Sequence, residues 1–263
     1  MISHNNLEEF NNLEEFNDPA NYDLEEAKRA TPRIRFYADL AQDIGGPTLE
    51  LACGTGLVTI PIAACSLPAT GIDLARPMLA YASLKAKQEQ LPIDWIEADA
   101  RQFLIEKQFS FILLTGNAFQ AFLQRTDQER LLASVKLHLA PHGIFAFETR
   151  NPSGHDLSDQ PDEELWFSYK NVQGQTVNVS GTQRYDPLTQ VMHWTTYRRW
   201  TVLNEGRLTI ARIACRFTYP QELEALLHYN GFRIIEQYGD WNKGALTASS
   251  EHIISVCQAA EET

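Results

Sequence analysis

The spacing of hydrophobic residues changes along the chain and divides it into segments. Between residues 47 and 150, short apolar runs alternate with stretches whose apolar residues recur every three or four positions. The runs predict buried strands over residues 48–52, 69–73, 93–98, 109–114 and 143–148. The stretches between them predict helices over residues 57–65, 78–87 and 127–139. This alternation predicts a parallel sheet with helices on both faces.

After Asn151 the apolar spacing changes to every second residue. Four segments with this spacing, joined by short turns, predict an antiparallel meander over residues 165–172, 175–185, 190–203 and 207–218. A helix over 221–230 and strands over 232–238 and 251–257 then resume the earlier pattern. We therefore predict an α/β fold: a Rossmann-like, doubly wound, mostly parallel sheet of seven strands, with an inserted four-stranded antiparallel sheet. The pattern leaves open whether His193 or Trp194 faces inward.

The segment before the first predicted strand has helical spacing from residue 23 to residue 43. Pro32 lies inside it and predicts a division into two helices, because proline removes a backbone donor. Before this segment the sequence NNLEEF occurs twice, at 5–10 and 11–16. The duplication is too short for a repeat architecture. It is typical of a disordered or loosely docked acidic tail, or of a short amphipathic segment.

Composition narrows the class of protein. The chain has 263 residues, of which 44% are hydrophobic, and no apolar stretch reaches the roughly 20 residues that cross a bilayer. Without a signal-like N-terminus, it is expected to be cytoplasmic and not attached to a membrane. The formal net charge of −12 argues against a nucleic-acid partner, since such partners favour basic surfaces. The four cysteines form no CxxC pair, so we expect no metal site.

A glycine-containing turn follows the first predicted strand, in the sequence LELACGTGLVTIPIA. Gly54 and Gly56 let the backbone approach a ligand closely, and the amides of the next helix point to the same space. A dinucleotide for hydride transfer and S-adenosylmethionine for methyl transfer both suit such a turn. A tight turn without a ligand is the third interpretation. The dinucleotide fingerprint requires a third glycine where this chain has Thr59, which weakens that interpretation.

Three acidic residues distinguish between a dinucleotide and S-adenosylmethionine as the ligand. Asp73 ends the second strand, where a carboxylate can accept from two ribose hydroxyls. Asp99 ends the third strand, near the expected adenine ring, and Glu50 precedes the glycine turn, where it can meet an ammonium group. A dinucleotide has no use for Glu50 and little for Asp99, so S-adenosylmethionine is favoured. The alternatives are a helix N-cap for Asp73, a loop acid for Asp99 and a fold-stabilising acceptor for Glu50.

These motifs together resemble the class I S-adenosylmethionine-dependent methyltransferases. LELACGTG resembles the glycine-rich motif of that family, GIDLARPML its ribose-binding strand end, and IEADARQF its adenine-contacting segment. LHLAPHGIFAFE is similar to the approach to its fifth strand, with His142 in place of the first glycine. The resemblance covers residues 20–150 well and 207–258 more loosely. The inserted sheet is similar to that of a small-molecule subgroup, which includes glycine N-methyltransferase-like and amino-sugar N-methyltransferase-like enzymes.

The resemblance implies S-adenosylmethionine as the cofactor and a division of the chain. The implied parts are an acidic tail (1–20), a helical lid (21–46), a cofactor-binding domain (47–150 and 219–263) and a sheet that roofs the active site (151–218). The predicted cofactor-binding residues are Glu50, Ala52, Gly54, Gly56, Asp73, Leu74, Met78, Asp99, Ala100 and Thr115. By resemblance, Tyr22 lies near the sulfonium.

The predicted reaction is in-line methyl transfer to the nitrogen or oxygen of a small-molecule acceptor, which needs no metal. Asn117, after the fourth strand, can accept a hydrogen bond from an amine or serve only as a turn residue. With Tyr22 it forms the predicted catalytic pair. Arg198 is either a ligand for an acceptor carboxylate or phosphate, or solvent-facing. The alternatives are an RNA methyltransferase and a non-catalytic module that binds S-adenosylmethionine. A homodimer is compatible with the sequence.

Overall fold

The computed structural model describes residues 13–260. Its strands are β1 (Thr48–Leu51), β2 (Ala69–Asp73), β3 (Ile93–Glu97), β4 (Phe109–Leu114), β5 (Leu139–Arg150), β6 (Gln160–Lys170), β7 (Thr176–Asp186), β8 (Val191–Val202), β9 (Glu205–Arg216), β10 (Phe232–Tyr238) and β11 (His252–Ala259). Its α-helices are α1 (Pro19–Ile44), α2 (Thr59–Ala64), α3 (Arg76–Gln88), α4 (Arg125–His138) and α5 (Pro220–Tyr229), and two 3₁₀ turns span Glu14–Asn17 and Ala118–Ala121.

Seven strands form the first sheet, in the order β10-β11-β5-β4-β1-β2-β3. The neighbouring pairs β3–β2, β2–β1, β1–β4 and β4–β5 are parallel. Strand β11 runs antiparallel to both of its neighbours, β10 and β5. Every residue of β1 is buried, because this strand lies in the middle of the sheet with helices on both faces. The strand order reverses between β1 and β4, which opens a crevice at their carboxyl ends. The predicted Rossmann-like fold is confirmed.

Helix α1 corrects the expectation that Pro32 divides this segment. The helix is continuous from Pro19 to Ile44, with Pro32 inside it. An interior proline costs about 3 kcal/mol through its lost N–H and its steric clash. Burial of Phe36 and Tyr37 against the first sheet offsets this cost, since each large apolar side chain contributes about 1.5–3 kcal/mol. Tertiary packing therefore outweighs the local signal.

The second sheet is an antiparallel meander in the order β6-β7-β8-β9, as the period-two segments predicted. Its inner face is the one that carries Trp194 and Arg198. The Trp194 ring packs edge-on against Phe217 and lies 5.0 Å from the Arg150 guanidinium at the end of β5. His193, one position away, lies on the outer face.

The N-terminal segment is only partly described. The first NNLEEF copy and most of the predicted acidic tail lie outside the described residues. The second copy ends in the turn Glu14–Asn17, where Phe16 packs edge-on against Tyr22 at 5.9 Å. Across residues 13–260, no helix combines the length and apolar character needed to cross a membrane.

Candidate active site

The glycine turn after β1 has a left-handed backbone at Ala52, Gly54 and Gly56, with φ of 51°, 55° and 76°. The two glycines serve different purposes. A Cβ at Gly56 would lie 2.6 Å from the Trp95 ring, so this glycine is required by packing. A Cβ at Gly54 would meet only the Met78 methyl at 3.5 Å. The backbone at Gly54 is therefore the part of the turn that a ligand can approach.

Asp73, at the end of β2, is fixed by two backbone amides. Gly54 N–H donates to Oδ2 and Ala75 N–H donates to Oδ1, each over 2.7 Å. Burial raises the pKa of Asp73, and these hydrogen bonds oppose the shift. The N-cap of α3 is Ala75, so Asp73 is not that cap. Beside it Leu74 is exposed, an apolar side chain at the edge of the crevice.

Asp99 has a protein partner for both of its oxygens. Arg101 Nε lies 3.0 Å from each oxygen, and its Nη2 donates to Oδ2 over 2.6 Å. These hydrogen bonds lower the pKa of Asp99. Arg101 also contacts Asp127 of α4 at 3.2 Å. The loop-acid interpretation therefore accounts for much of the geometry at Asp99, while Ala100 beside it is buried in the core.

Glu50 lies buried in β1 and accepts from two hydroxyls. Thr115 Oγ1 donates over 2.7 Å, and Thr59 Oγ1 donates to the other oxygen. Burial raises the pKa of Glu50 to about 7. These contacts join β1, α2 and the end of β4, so the residue stabilises the fold whatever ligand it meets. Thr59 is also the position where a dinucleotide fingerprint would have its third glycine.

Glu148 has no role predicted from the sequence, yet it organises the loop after β4. Its Oε1 accepts from Gly116 N–H at 2.6 Å and from Asn117 N–H at 3.2 Å, and its Oε2 accepts from the Tyr37 hydroxyl at 2.6 Å. Burial raises the pKa of Glu148, and the charge of Arg33 opposes that shift. A lone acid in the apolar sequence FAFETR was the available signal for this residue.

Arg33 of α1 is a buried cation that the sequence pattern did not single out. It faces Glu148 and Glu50, and its Nη2 lies 3.7 Å from Glu26. Burial lowers its pKa, but these carboxylates raise it above the ordinary value. Its Nε is buried and has no hydrogen-bond partner among the described residues. A single arginine in a helical pattern looks like a solvated residue, so its role emerges only when α1 packs on the sheet.

The two predicted catalytic residues are both connected with this cation, Tyr22 directly and Asn117 through Glu148. Asn117 is left-handed, with φ of 58°, and its buried Oδ1 lacks a partner in the described part of the chain. Tyr22 is half-buried, and burial, with Glu26 nearby, raises its pKa. Arg33 acts electrostatically on both Tyr22 and Glu148, the residue that holds Asn117.

The first turns of α1 are bound to the glycine turn, to helix α3 and to the second sheet. Asp23 accepts from Thr55 in the glycine turn and forms an ion pair with Lys85 of α3. Glu25 pairs with Arg198 of β8, whose Nε and Nη2 each donate over 2.9 Å. Arg198 is therefore neither solvent-facing nor free for an acceptor, because Glu15 also binds it. The roles of Asp23 and Glu25 could not be predicted from the sequence pattern, because the residues that they bind are distant along the chain.

Comparison with known proteins identifies the class. Residues 48–143 match a family model described as a methyltransferase domain. Over 225 residues the chain is 25% identical to YqeM of Bacillus subtilis (strain 168), provisionally named a methyltransferase; the match covers 82% of this chain and 85% of that protein. Residues 48–143 therefore form a methyltransferase domain, and the chain has the fold of the class I S-adenosylmethionine-dependent methyltransferases.

Two solved structures show where this chain falls within the fold. A TM-score of 0.77 at 17% identity relates it to an S-adenosylmethionine-dependent methyltransferase from Clostridium acetobutylicum ATCC 824, with 91% of this chain and 96% of that chain covered. The sugar N-methyltransferase KedS8 from Streptoalloteichus sp ATCC 53650 matches with a TM-score of 0.68 at 16% identity, and the match covers 92% of this chain and 93% of that chain. Coverage above nine-tenths includes the second sheet, so these structures share the insertion.

The chain's own residues fit the cofactor. The crevice presents an accessible backbone at Gly54, a carboxylate at Asp73 and an exposed apolar side chain at Leu74. Deeper in, the unpartnered Nε of Arg33 offers a donor for a carboxylate. Among residues 13–260, no three His, Cys, Asp or Glu side chains cluster as metal ligands.

Proposed function

We propose that this methyltransferase methylates the nitrogen of a small-molecule acceptor. The acceptor site is the cleft between the carboxyl ends of the first sheet and the inner face of the second. The observation that carries the proposal is the pair of backbone hydrogen bonds that fixes Asp73 beside Gly54. A carboxylate held by two amides keeps further lone pairs for two ribose hydroxyls. The site would hold S-adenosylmethionine, which supplies the methyl group as a sulfonium when bound.

The charges inside the cleft match the amino-acid end of that cofactor. Arg33 has an unpartnered Nε for a carboxylate, and Glu50 and Glu148 offer negative charge for an ammonium group. Buried charges are favourable only when paired, so a ligand with both signs suits this arrangement. Met78 and Leu74 line the nucleoside end. Asp99 contributes a carboxylate there while it stays bound to Arg101.

The acceptor is proposed to be an amine because of the groups near Asn117. A neutral amine attacks without a strong base, whereas a hydroxyl acceptor requires one. Asn117 cannot ionise, and its unpartnered Oδ1 can orient an N–H donor. The raised pKa of Tyr22 keeps its hydroxyl protonated near neutral pH, so Tyr22 shapes the site and donates rather than removing a proton.

Further parts of the proposal concern the whole chain. The likeness to a sugar N-methyltransferase that has the same insertion supports an acceptor about as large as a sugar. We assign residues 21–46 as a lid and 151–218 as the roof over the acceptor, because α1 and β8 meet at Arg198. The charge of −12 supports a small molecule over a nucleic acid, and the protein is proposed to be cytoplasmic.

A homodimer is also part of the proposal. The outer face of the second sheet carries a cross-strand row of Leu165, Ser180, Tyr197 and Ile210, in which the small Ser180 is buried between larger apolar side chains. Leu165 and Ile210 are exposed, and Leu208 lies beside them. An exposed apolar row of this kind is typical of a protein interface.

Calorimetry and a methyl-transfer screen test the function together. The protein should bind S-adenosylhomocysteine and not NAD, and it should transfer a labelled methyl group to small amines. Binding without transfer to any amine, alcohol or RNA would identify a non-catalytic module. Transfer to RNA instead of small amines would contradict the proposed acceptor, and preference for NAD would contradict the cofactor.

A further inference from the structure

Gln120 is a buried glutamine whose amide has no partner. Its side chain is 1% exposed, and neither Oε1 nor Nε2 has a hydrogen bond among the described residues. Buried amides in folded proteins nearly always have partners, because an unpaired one loses its hydrogen bonds to water. The mechanism proposed above does not use this residue, so its retention in the interior calls for another explanation.

The position of Gln120 connects it with the acceptor. It lies in the 3₁₀ turn Ala118–Ala121, which contacts β5 of the first sheet and β9 of the second. Phe119 beside it stacks on Phe147 of β5, at 4.7 Å between ring centroids, and this stacking anchors the turn. Asn117, three residues earlier, has the unpartnered Oδ1 already described. A buried amide without partners and a second side chain with a buried, unpartnered amide oxygen thus occur in one loop where the sheets meet.

We propose that Gln120 recognises a hydroxyl group on the acceptor, close to the nitrogen that is methylated. A primary amide carries both donors and an acceptor and no charge, which matches a hydroxyl that also donates and accepts. A carboxylate or phosphate would instead require a cation at this position. The inference rests on the proposed function and specifies its substrate class: an amino alcohol, with Asn117 near the amine and Gln120 near the hydroxyl.

A site that pairs a substrate hydroxyl discriminates strongly against an analogue without it, because its own polar groups then stay unpaired. The suitable probes are 2-aminocyclohexanol and cyclohexylamine, which differ by one hydroxyl. The full chain should favour the amino alcohol by about tenfold or more in kcat/KM. Gln120→Met keeps the side-chain volume and removes the amide, so it should bring the two acceptors within about twofold of each other.

Gln128 provides the matched control. It is also 1% exposed, but its Nε2 donates to Thr218 Oγ1 over 3.3 Å. Gln128→Met should lower Tm, since it leaves the Thr218 hydroxyl without this partner, and should preserve the preference for the hydroxylated acceptor. Gln120→Met should maintain or raise Tm, because it removes a polar group that has no partner, and should bind S-adenosylhomocysteine as the parent chain does.

The outcomes separate the inference from the proposed function. A lower Tm for Gln120→Met would show a structural amide, and an unchanged preference would show that Gln120 does not recognise the hydroxyl. Each result would overturn the inference, as would a parent chain that binds S-adenosylhomocysteine but methylates only other amines. A parent chain that does not bind S-adenosylhomocysteine would contradict the proposed function itself.

Discussion

At the scale of single residues, the acids around the glycine turn differ in how fully the protein has already paired them. Both oxygens of Asp99 contact one arginine, and Glu50 accepts from two threonine hydroxyls. Asp73 is held only by backbone amides, at the edge of the crevice. A ligand therefore depends more on Asp73 than on the other two acids.

Asp73→Ala should weaken binding of S-adenosylhomocysteine by about 1–3 kcal/mol, or roughly 5- to 150-fold, because the ribose hydroxyls lose a buried acceptor. Asp94→Ala, an exposed acid on neighbouring β3, is the control and should leave the affinity unchanged. Calorimetry measures both. Equal affinities for the two variants would show that Asp73 does not bind ribose.

Because of Glu50, we expect both the stability of the protein and its affinity for S-adenosylhomocysteine to depend on pH. Its pKa is about 7 in the folded protein, above the value near 4.3 of an unfolded glutamate. Protonation therefore contributes stability that is complete below about pH 4.3 and is lost as pH rises to 7. Ionised Glu50, beside Arg33, should attract the ammonium group of S-adenosylhomocysteine, so affinity should rise between pH 6 and pH 8.

Glu50→Gln isolates this effect, since the amide cannot ionise. Its Tm should fall less than that of the parent chain between pH 5 and pH 7.5. Its affinity for S-adenosylhomocysteine should rise less between pH 6 and pH 8 than the affinity of the parent chain does. Parallel pH profiles for the two proteins would assign the titration to another group, such as Glu148.

At the scale of elements, α1 connects the glycine turn with the second sheet. Asp23 and Glu25 point to different sides of the helix, because residues two apart do not share a face. One binds Thr55 and Lys85, and the other binds Arg198. The segment proposed as the lid is thereby fixed on two sides.

Arg198→Ala should destabilise the protein by about 1–3 kcal/mol, because it leaves Glu15 and Glu25 partly buried without a cation. Arg199→Ala is the matched control: its partner Glu163 lies on the outer face, and the pair is worth about 1 kcal/mol or less. Hydrogen exchange of residues 13–26 should accelerate only in Arg198→Ala. Equal acceleration in both variants would show that β8 does not fix the lid.

The sequence predicted the elements far better than it predicted their contacts. The period-two and apolar runs located β2, β4 and β10 with their observed ends, because burial on a sheet determines local spacing. Local rules were wrong at Pro32, where packing of a long helix dominates. They also could not identify Arg33, since its neighbours come from β1 and β5, far along the chain.

At the scale of the whole molecule, the outer face of the second sheet determines the expected assembly. Light scattering of the purified protein should give about twice the 29.8 kDa chain mass. Ile210→Glu places a charge in the apolar row and should give a monomer that still binds S-adenosylhomocysteine. Leu188→Glu, exposed in the β7–β8 turn, is the control and should remain dimeric. A monomeric parent chain would contradict the proposed dimer.

The two-sided attachment of α1 has a kinetic consequence. A helix bound to both the glycine turn and the second sheet must release one attachment before a nucleoside can leave the proposed site. We therefore expect the cofactor to be the first reactant to bind and S-adenosylhomocysteine to be the last product to leave. Product-inhibition patterns should show S-adenosylhomocysteine competing with S-adenosylmethionine but not with the acceptor. Turnover should accelerate in Arg198→Ala wherever release of that product limits the rate.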